Sequence, residues 1–509
     1  MQVRRRLFAV VAVLLVGLVG ITVMELAFRW LDGYRLFGPH LVSRGGPVTA
    51  PDARAYLSRF ALAPKVELPW YFLDPEHPTG NIAADPDLSA RERASPAGLG
   101  AVFSSYEWNR EYVRWAACEH PEFFDAQFKP SSNPPDIFVF EPVDGGRFPS
   151  FRFLRSSHNS GISTNQFGWR GPDIALRKPA GTVRIAFVGA STTVNPHGDP
   201  FSYPDYIRRW LSEWARRAHP DVQFEVMNAG REGINSNSIE GIVRTEVAPV
   251  DPDFVVYYEG SNQFWPADYL GTLPAVWTPS HPPPSVFKPV EWPLVNSSAT
   301  ARRLADLVGS RLREPEKPTL DVRWPGDLDE ADPDLHHPRL PVNLNAILSD
   351  LDGMRVSLDK QGARLVLTSF LWCVYDGMRL NPVTNAGLYG YLNGPFWPFS
   401  YAHMRRFARF QNTVFRKYAV THGLPFIDVE DHFPLEPVLF GDAIHMSQLG
   451  VKLMAWSVFQ QLVRQIDLDL QQGRLPRRMA VAPSVHPAFR EQGRRTLPVA
   501  TAAAWCGHL

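Results

Sequence analysis

Apolar positions follow two different patterns along this chain, and the change falls near residue 182. Beyond it, short apolar runs alternate with stretches of helical period. The runs are VRIAFVG (183–189), QFEVMN (223–228), DFVVYY (253–258), ARLVLTS (363–369) and PFIDV (425–429). They are rich in β-branched and aromatic residues and largely apolar at successive positions, as expected of strands covered on both faces. YPDYIRRWLSEWARR follows the first run, and YAHMRRFARFQNTVFRKYAV precedes the fifth. In the latter, Phe407, Phe410, Val414 and Tyr418 recur at three- or four-residue steps and make one apolar face. A last helix is predicted over SQLGVKLMAWSVFQQLVRQI, with Ser447 as its N-cap. Five strands joined by helical crossovers predict an α/β fold with a parallel sheet between two helical layers. Such sheets bind ligands at the carboxyl ends of their strands.

Before residue 182 the pattern is weaker. Residues 36–178 are rich in proline and aromatics and read as an accessory region of short strands and loops, closed by TNQFGWRGPD (164–173). Residues 264–340, with HPPPSVFKPVEWP and DLDEADPDLHHPRLP, interrupt the alternation and read as an insertion overhanging the site or as a linker. Residues 466–509 read as a C-terminal extension, loosely ordered from about Gln471. At the other end, Arg4, Arg5 and Arg6 precede an uncharged stretch from Leu7 to Met24. Eighteen residues at about 1.5 Å each give roughly 27 Å, close to the hydrocarbon thickness of a bilayer. The preferred reading of residues 1–31 is a single membrane anchor, N-terminus in the cytoplasm and the bulk of the chain extracytoplasmic. A cleaved signal peptide is the rival. Glu25 and Arg29, four apart, are expected to form a solvated pair.

Composition narrows the function without fixing it. With 52 basic and 52 acidic residues the formal charge is zero, so no bulk electrostatic case for nucleic acid exists. Three cysteines (Cys118, Cys373, Cys506) exclude a disulfide framework and a cysteine zinc site, leaving room for one unassigned disulfide. Asp334, His336 and His337 lack supporting ligands and are expected in solvent; no metal or cofactor is expected. Two aromatic clusters border the expected site: Trp265, Tyr269, Trp277 and Trp292, then Tyr389, Tyr391, Phe396, Trp397, Phe399 and Tyr401. Stacking on sugar rings is one use for them, and pinning loops to the core is the preferred one.

The candidate chemistry lies at strand ends. After the first strand comes Gly189-Ala190-Ser191-Thr192; after the second, NAGREGINS with Gly233; after the third, EGSNQF with Asn262; before the last helix, FGDAIHMSQLG with Asp442 and His445. A serine hydroxyl becomes a useful nucleophile when an imidazole takes its proton, and a carboxylate on the other ring nitrogen fixes the tautomer. Ser191, His445 and Asp442 are the candidates for these roles. The backbone N–H groups of Ser191 and Gly233 and the side-chain amide of Asn262 are candidate donors to an oxyanion. In isolation each has a plainer reading, as helix cap, turn glycine, turn asparagine or packed histidine.

Taken together, the four blocks resemble the SGNH hydrolases, or GDSL lipase/esterase family, over roughly residues 182–465. The match runs residue by residue through Ser191, Gly233, Asn262 and the Asp442-x-x-His445 pair, with Ala190 standing where the family's name-giving aspartate would be. TNQFGWRGPD is similar to a segment preceding the serine block in membrane-anchored bacterial members. The resemblance implies a flavodoxin-like three-layer α/β/α sandwich with a five-stranded parallel sheet. It also implies an esterase working through an acyl-serine, with acyl esters, O-acetylated envelope glycans among them, as substrate. An O-acyltransferase using the same residues, and a non-catalytic glycan-binding or assembly protein, are the alternatives.

Overall fold

A computed structural model describes residues 2–32, 34–38, 55–76, 162–195, 201–266, 297–309, 324–382 and 384–477, the pairs 138–139, 152–153 and 158–159, and positions 317, 320 and 322. Five strands, β1 (Thr182–Gly189), β2 (Gln223–Asn228), β3 (Phe254–Tyr258), β4 (Arg364–Thr368) and β5 (Phe426–Ile427), form one sheet in the order β2-β1-β3-β4-β5. Every neighbouring pair is parallel, with Ile185 beside Val226 on one side and Phe254 on the other. These are the five apolar runs of the sequence; only the last is much shorter than its run.

Parallel strands need long crossovers, and helices supply them. In chain order they are α1 (Gln2–Leu31), α2 (Ser191–Val194), α3 (Tyr203–Ala218), α4 (Ser236–Ile242), α5 (Ala299–Gly309), α6 (Leu344–Asp359), α7 (Ala386–Asn393), α8 (Tyr401–Thr421) and α9 (Gln448–Gln471). Side chains of a strand alternate faces, so Tyr257 meets Phe415 of α8 while Tyr258 meets Tyr203 of α3. One layer thus holds α3 and α9, which pack on each other, and the other holds α4, α6 and α8. The helix starts follow their polar caps: Ser202 and Asp205 form a capping box on α3, and Ser400 and Ser447 cap α8 and α9. The strand order reverses at β1, which lies between β2 and β3, and such a switch point puts a crevice at the carboxyl ends of β1 and β3.

Several expectations need correction. Segments assigned to an accessory region belong to the sandwich core: Leu57, Phe60, Trp70, Phe167 and Trp169 are buried with it, and Tyr71 stacks on Trp210 at 6.1 Å. The hydrolase-like unit does not stop at 465, since α9 runs to Gln471 and Arg477 then binds Asp253 at 2.9 Å; residues 478–509 lie outside the described residues. Within 264–340, residues 299–309 are helical and 267–296 lie outside the described residues.

Helix α1 includes a span, Val11–Leu31, long and apolar enough to cross a membrane. Its Glu25 and Arg29 do pair, at 2.7 Å, yet not in solvent. Glu25 caps α5 by accepting from Ser298 Oγ (2.7 Å) and from the N–H groups of Ala299 and Thr300 (2.9 Å each). Arg29 donates to the carbonyls of Ser297 and Gly38, and Asp32 pairs with Arg303 at 2.6 Å.

Candidate active site

Strand β1 ends where no side chain fits: a Cβ on Gly189 would lie 2.2 Å from Thr193 Oγ1 and from the carbonyl oxygen of Tyr258. That absence of a side chain lets the chain turn sharply into α2, which Ser191 opens and Asn195, in the left-handed region at φ 47°, closes. Ser191 is only 7% exposed. The expected trio comes together around it. His445 Nε2 lies 2.8 Å from Ser191 Oγ, and His445 Nδ1 lies 2.7 Å from Asp442 Oδ2.

The Asp-x-x-His spacing has a local cause. Asp442 Oδ1 accepts the N–H groups of Ile444 (2.9 Å) and His445 (2.8 Å), so the carboxylate closes its own turn and leaves Oδ2 to the imidazole. Burial pushes the Asp442 carboxyl up, but the His445 imidazole and these two amides outweigh it and hold it below the usual carboxylate range. With the Nδ1 proton directed to Asp442, the Nε2 lone pair faces the serine hydroxyl; this tautomer is assigned from the hydrogen-bond network.

The two neighbouring strand ends converge as well. The N–H of Arg231 donates to the Gly189 carbonyl (3.1 Å), stitching the loop after β2 to the end of β1. In that loop Gly233 is exposed with φ +68°, a conformation that favours glycine. Asn262, after β3, donates through Nδ2 to the carbonyl of Ile234 at 2.6 Å, joining the two loops that carry the candidate oxyanion donors. Neither Gly233 nor Asn262 hydrogen-bonds to Ser191 among the described residues.

Two residues that sequence reasoning passed over hold this geometry. Glu259, buried at the end of β3, accepts through Oε1 from the N–H groups of Ser261 (2.7 Å) and Asn262 (2.9 Å). Burial pushes its carboxyl up against the pull of these donors, and Oε2 makes no hydrogen bond among the described residues. The signal was an acid closing the otherwise apolar run FVVYY. Arg170, 3% exposed, donates from Nη1 to the carbonyls of Val194 (2.9 Å) and Asn195 at the far end of α2. Its signal was TNQFGWRGPD itself.

A sheet ordered 2-1-3-4-5, with the serine after its first strand, the glycine and asparagine loops after the second and third, and Asp-x-x-His before the last helix, fixes the architecture. The fold is a three-layer α/β/α sandwich on a five-stranded parallel sheet, as the sequence led us to expect. Solved structures similar to this chain include a variant of an acetyl xylan esterase from Geobacillus stearothermophilus, at 12% identity over 57% of this chain and 97% of that one, with a TM-score of 0.31. An alpha/beta hydrolase from the metagenome of Lake Arreo, Spain, is similar at 14% identity over 57% and 99%, TM-score 0.31. A GDSL-like lipase from Bacteroides thetaiotaomicron is similar at 14% identity over 56% and 88%, TM-score 0.25. No family model matches the sequence, and no curated protein matches it.

The remaining candidates around the site divide clearly. Tyr389 on α7, Tyr401 on α8 and Phe396 and Phe399 between the two helices are buried in the core, and the last two pin a loop as expected. Trp265 is exposed, while Tyr269, Trp277, Trp292 and His197 lie outside the described residues. Cys373 is a free, buried thiol, pushed up to about 12 by burial and by the nearby Asp442. His336 is exposed as expected, but His337 is buried, with Nε2 3.3 Å from Asp327. No group of three or more potential metal ligands occurs among the described residues.

Proposed function

We propose that this chain is a serine esterase of the SGNH type, with Ser191 as nucleophile, His445 as general base and then acid, and Asp442 orienting the imidazole. The observation that carries this reading is the unbroken relay, 2.8 Å from Ser191 Oγ to His445 Nε2 and 2.7 Å from His445 Nδ1 to Asp442 Oδ2. In the proposed reaction Oγ attacks the acyl carbonyl carbon as its proton passes to Nε2, and the carboxylate steadies the imidazolium. The negative oxygen meets the N–H groups of Ser191 and Gly233 and the Asn262 amide. The bond to the alcohol then breaks, the leaving oxygen takes the proton from Nε2, and the acyl group stays on Ser191. Water, deprotonated by the same nitrogen, releases the acid. The scheme draws on no metal or cofactor.

The proposed substrates are short acyl esters, O-acetyl groups on envelope carbohydrate among them. Support for that location is the apolar span Val11–Leu31 of α1, preceded by Arg4, Arg5 and Arg6, which would tether the site to the outer side of the cytoplasmic membrane.

Labelling with a fluorophosphonate, together with hydrolysis of p-nitrophenyl acetate, tests the chemistry. Wild type is expected to be labelled at Ser191, and Ser191→Ala to lose labelling and on the order of 10⁴- to 10⁶-fold in kcat. Folded wild-type protein that resists labelling and releases no acetate would overturn the reading. Acetate moved onto an added glycan instead of water would make it an acyltransferase.

A further inference from the structure

The segment TNQFGWRGPD is folded by its own sequence into a fixed element beside β2. Asn165 Oδ1 accepts the N–H groups of Phe167 (2.9 Å) and Trp169 (3.0 Å), Gly168 turns at φ +74°, and Gly171 N donates to the Ser163 carbonyl at 2.9 Å. The backbone of Arg170 then bridges to Asn228 at the end of β2. Trp169 is fully buried, its indole N–H 3.1 Å from Glu246 Oε2. The Asn165 turn and the backbone bridge to Asn228 aim the Arg170 guanidinium under α2.

Helix α2 is one turn long, and an isolated turn has no stability of its own. Its last carbonyls, which a longer helix would leave bare as well, need outside donors. They have them. Asn228 Nδ2 donates to Thr193 O at 2.9 Å, and Arg170 takes Val194 O and Asn195 O. Asp205 fixes the guanidinium in turn, 3.5 Å from Arg170 Nε, and is itself held by Ser202 through a hydroxyl at 2.7 Å. Ser202 Oγ also accepts from Asn228 Nδ2 at 3.1 Å, closing the network.

We infer that Arg170 is a positioning residue for the nucleophile: through the carbonyls of Val194 and Asn195 it sets where α2 begins and so where Ser191 Oγ stands against His445. This rests on the esterase reading and adds to it a residue from the segment that precedes β1. A displacement of about 1 Å between nucleophile and base costs roughly 10²-fold in rate. Ground-state binding of a small ester, made elsewhere in the site, is untouched.

The experiment compares Arg170→Ala, Arg170→Lys and Trp169→Phe in the full chain by fluorophosphonate labelling rate, by kcat and KM for p-nitrophenyl acetate, and by melting temperature. Arg170→Ala is expected to lose roughly 10²-fold in labelling rate and kcat with KM within about twofold. Arg170→Lys, whose ammonium is a point donor and not a fork, should fall between Ala and wild type. Trp169→Phe removes the indole bond to Glu246 from the same segment and should lower the melting temperature while keeping the labelling rate. If Arg170→Ala does not fold, Arg170→Lys against Trp169→Phe carries the same contrast. Arginine variants with wild-type labelling rates, or a Trp169→Phe loss of rate matching theirs at equal melting temperature, would overturn the inference. Unlabelled wild type would instead sink the esterase reading beneath it.

Discussion

Two short turns follow the adjacent strands β1 and β3 and are secured by opposite means. The Ser191 turn is gripped by a cation, Arg170, acting on carbonyls at the end of α2. The Asn262 turn is gripped by a buried acid, Glu259, acting on the amides of Ser261 and Asn262, while Gln411 Nε2 holds the Gly260 carbonyl at 2.8 Å. The choice follows from which backbone groups each turn leaves open. A helix that has just ended exposes carbonyls and wants donors; a chain leaving a strand through a tight turn exposes N–H groups and wants an acceptor. In both cases the holder is hidden from water, where such hydrogen bonds are stronger and their loss costs more.

Variants of the Asn262 side sharpen this contrast. Asn262→Ala removes a proposed oxyanion donor and should cost about 10²- to 10³-fold in kcat, while keeping phosphonate labelling detectable. Loss of less than about tenfold would leave the two backbone amides as the whole oxyanion site.

Glu259→Gln keeps one acceptor oxygen for the turn but changes the group at Oε2; a fall of about tenfold in kcat is expected, read beside Arg170→Ala under the same conditions. Its stability is the sharper readout. Because burial raises the Glu259 pKa in the folded chain, that chain keeps the proton to higher pH than the unfolded chain. Stability should therefore decline as pH rises above the ordinary glutamate value of about 4.3 and through the raised value, and Glu259→Gln should lose that slope. A denaturation series across pH, identical for the two proteins, would remove the acid from this role.

The smallest effect belongs to Gly233→Ala. No atom lies within 4 Å of a Cβ there, so only the φ of +68° opposes the change, at about 1 kcal/mol. Activity reduced severalfold with little change in KM fits an amide that must point at the oxyanion; a full loss would mean that the loop itself rearranges.

Much of the sandwich was legible before any coordinates. Runs such as VRIAFVG carry the signature of a strand covered on both faces, and Ser191, Asp442 and His445 are recognisable because their residue types are those a nucleophile relay requires. Arg170 and Glu259 escaped because their partners are backbone atoms, Val194 O and Asn262 N among them, which leave no trace in residue type. Core membership of Leu57, Tyr71 and Trp169 escaped for another reason. They lie in single helical turns or in loops, too short for burial to follow a period, and only the tertiary surroundings, such as Trp210 against Tyr71, reveal it. Helix α5 was hidden by the proline-rich stretches on either side of it.

Glu25 gives the N-terminal helix more than length. By closing its hydrogen bonds on Ser298, Ala299 and Thr300, it makes the stalk and the polypeptide at 297–309 one bracket instead of a loose leash. If α1 stands in a bilayer, Glu25 fixes the segment 297–309 beside the end of that helix, at the level where the chain leaves the lipid.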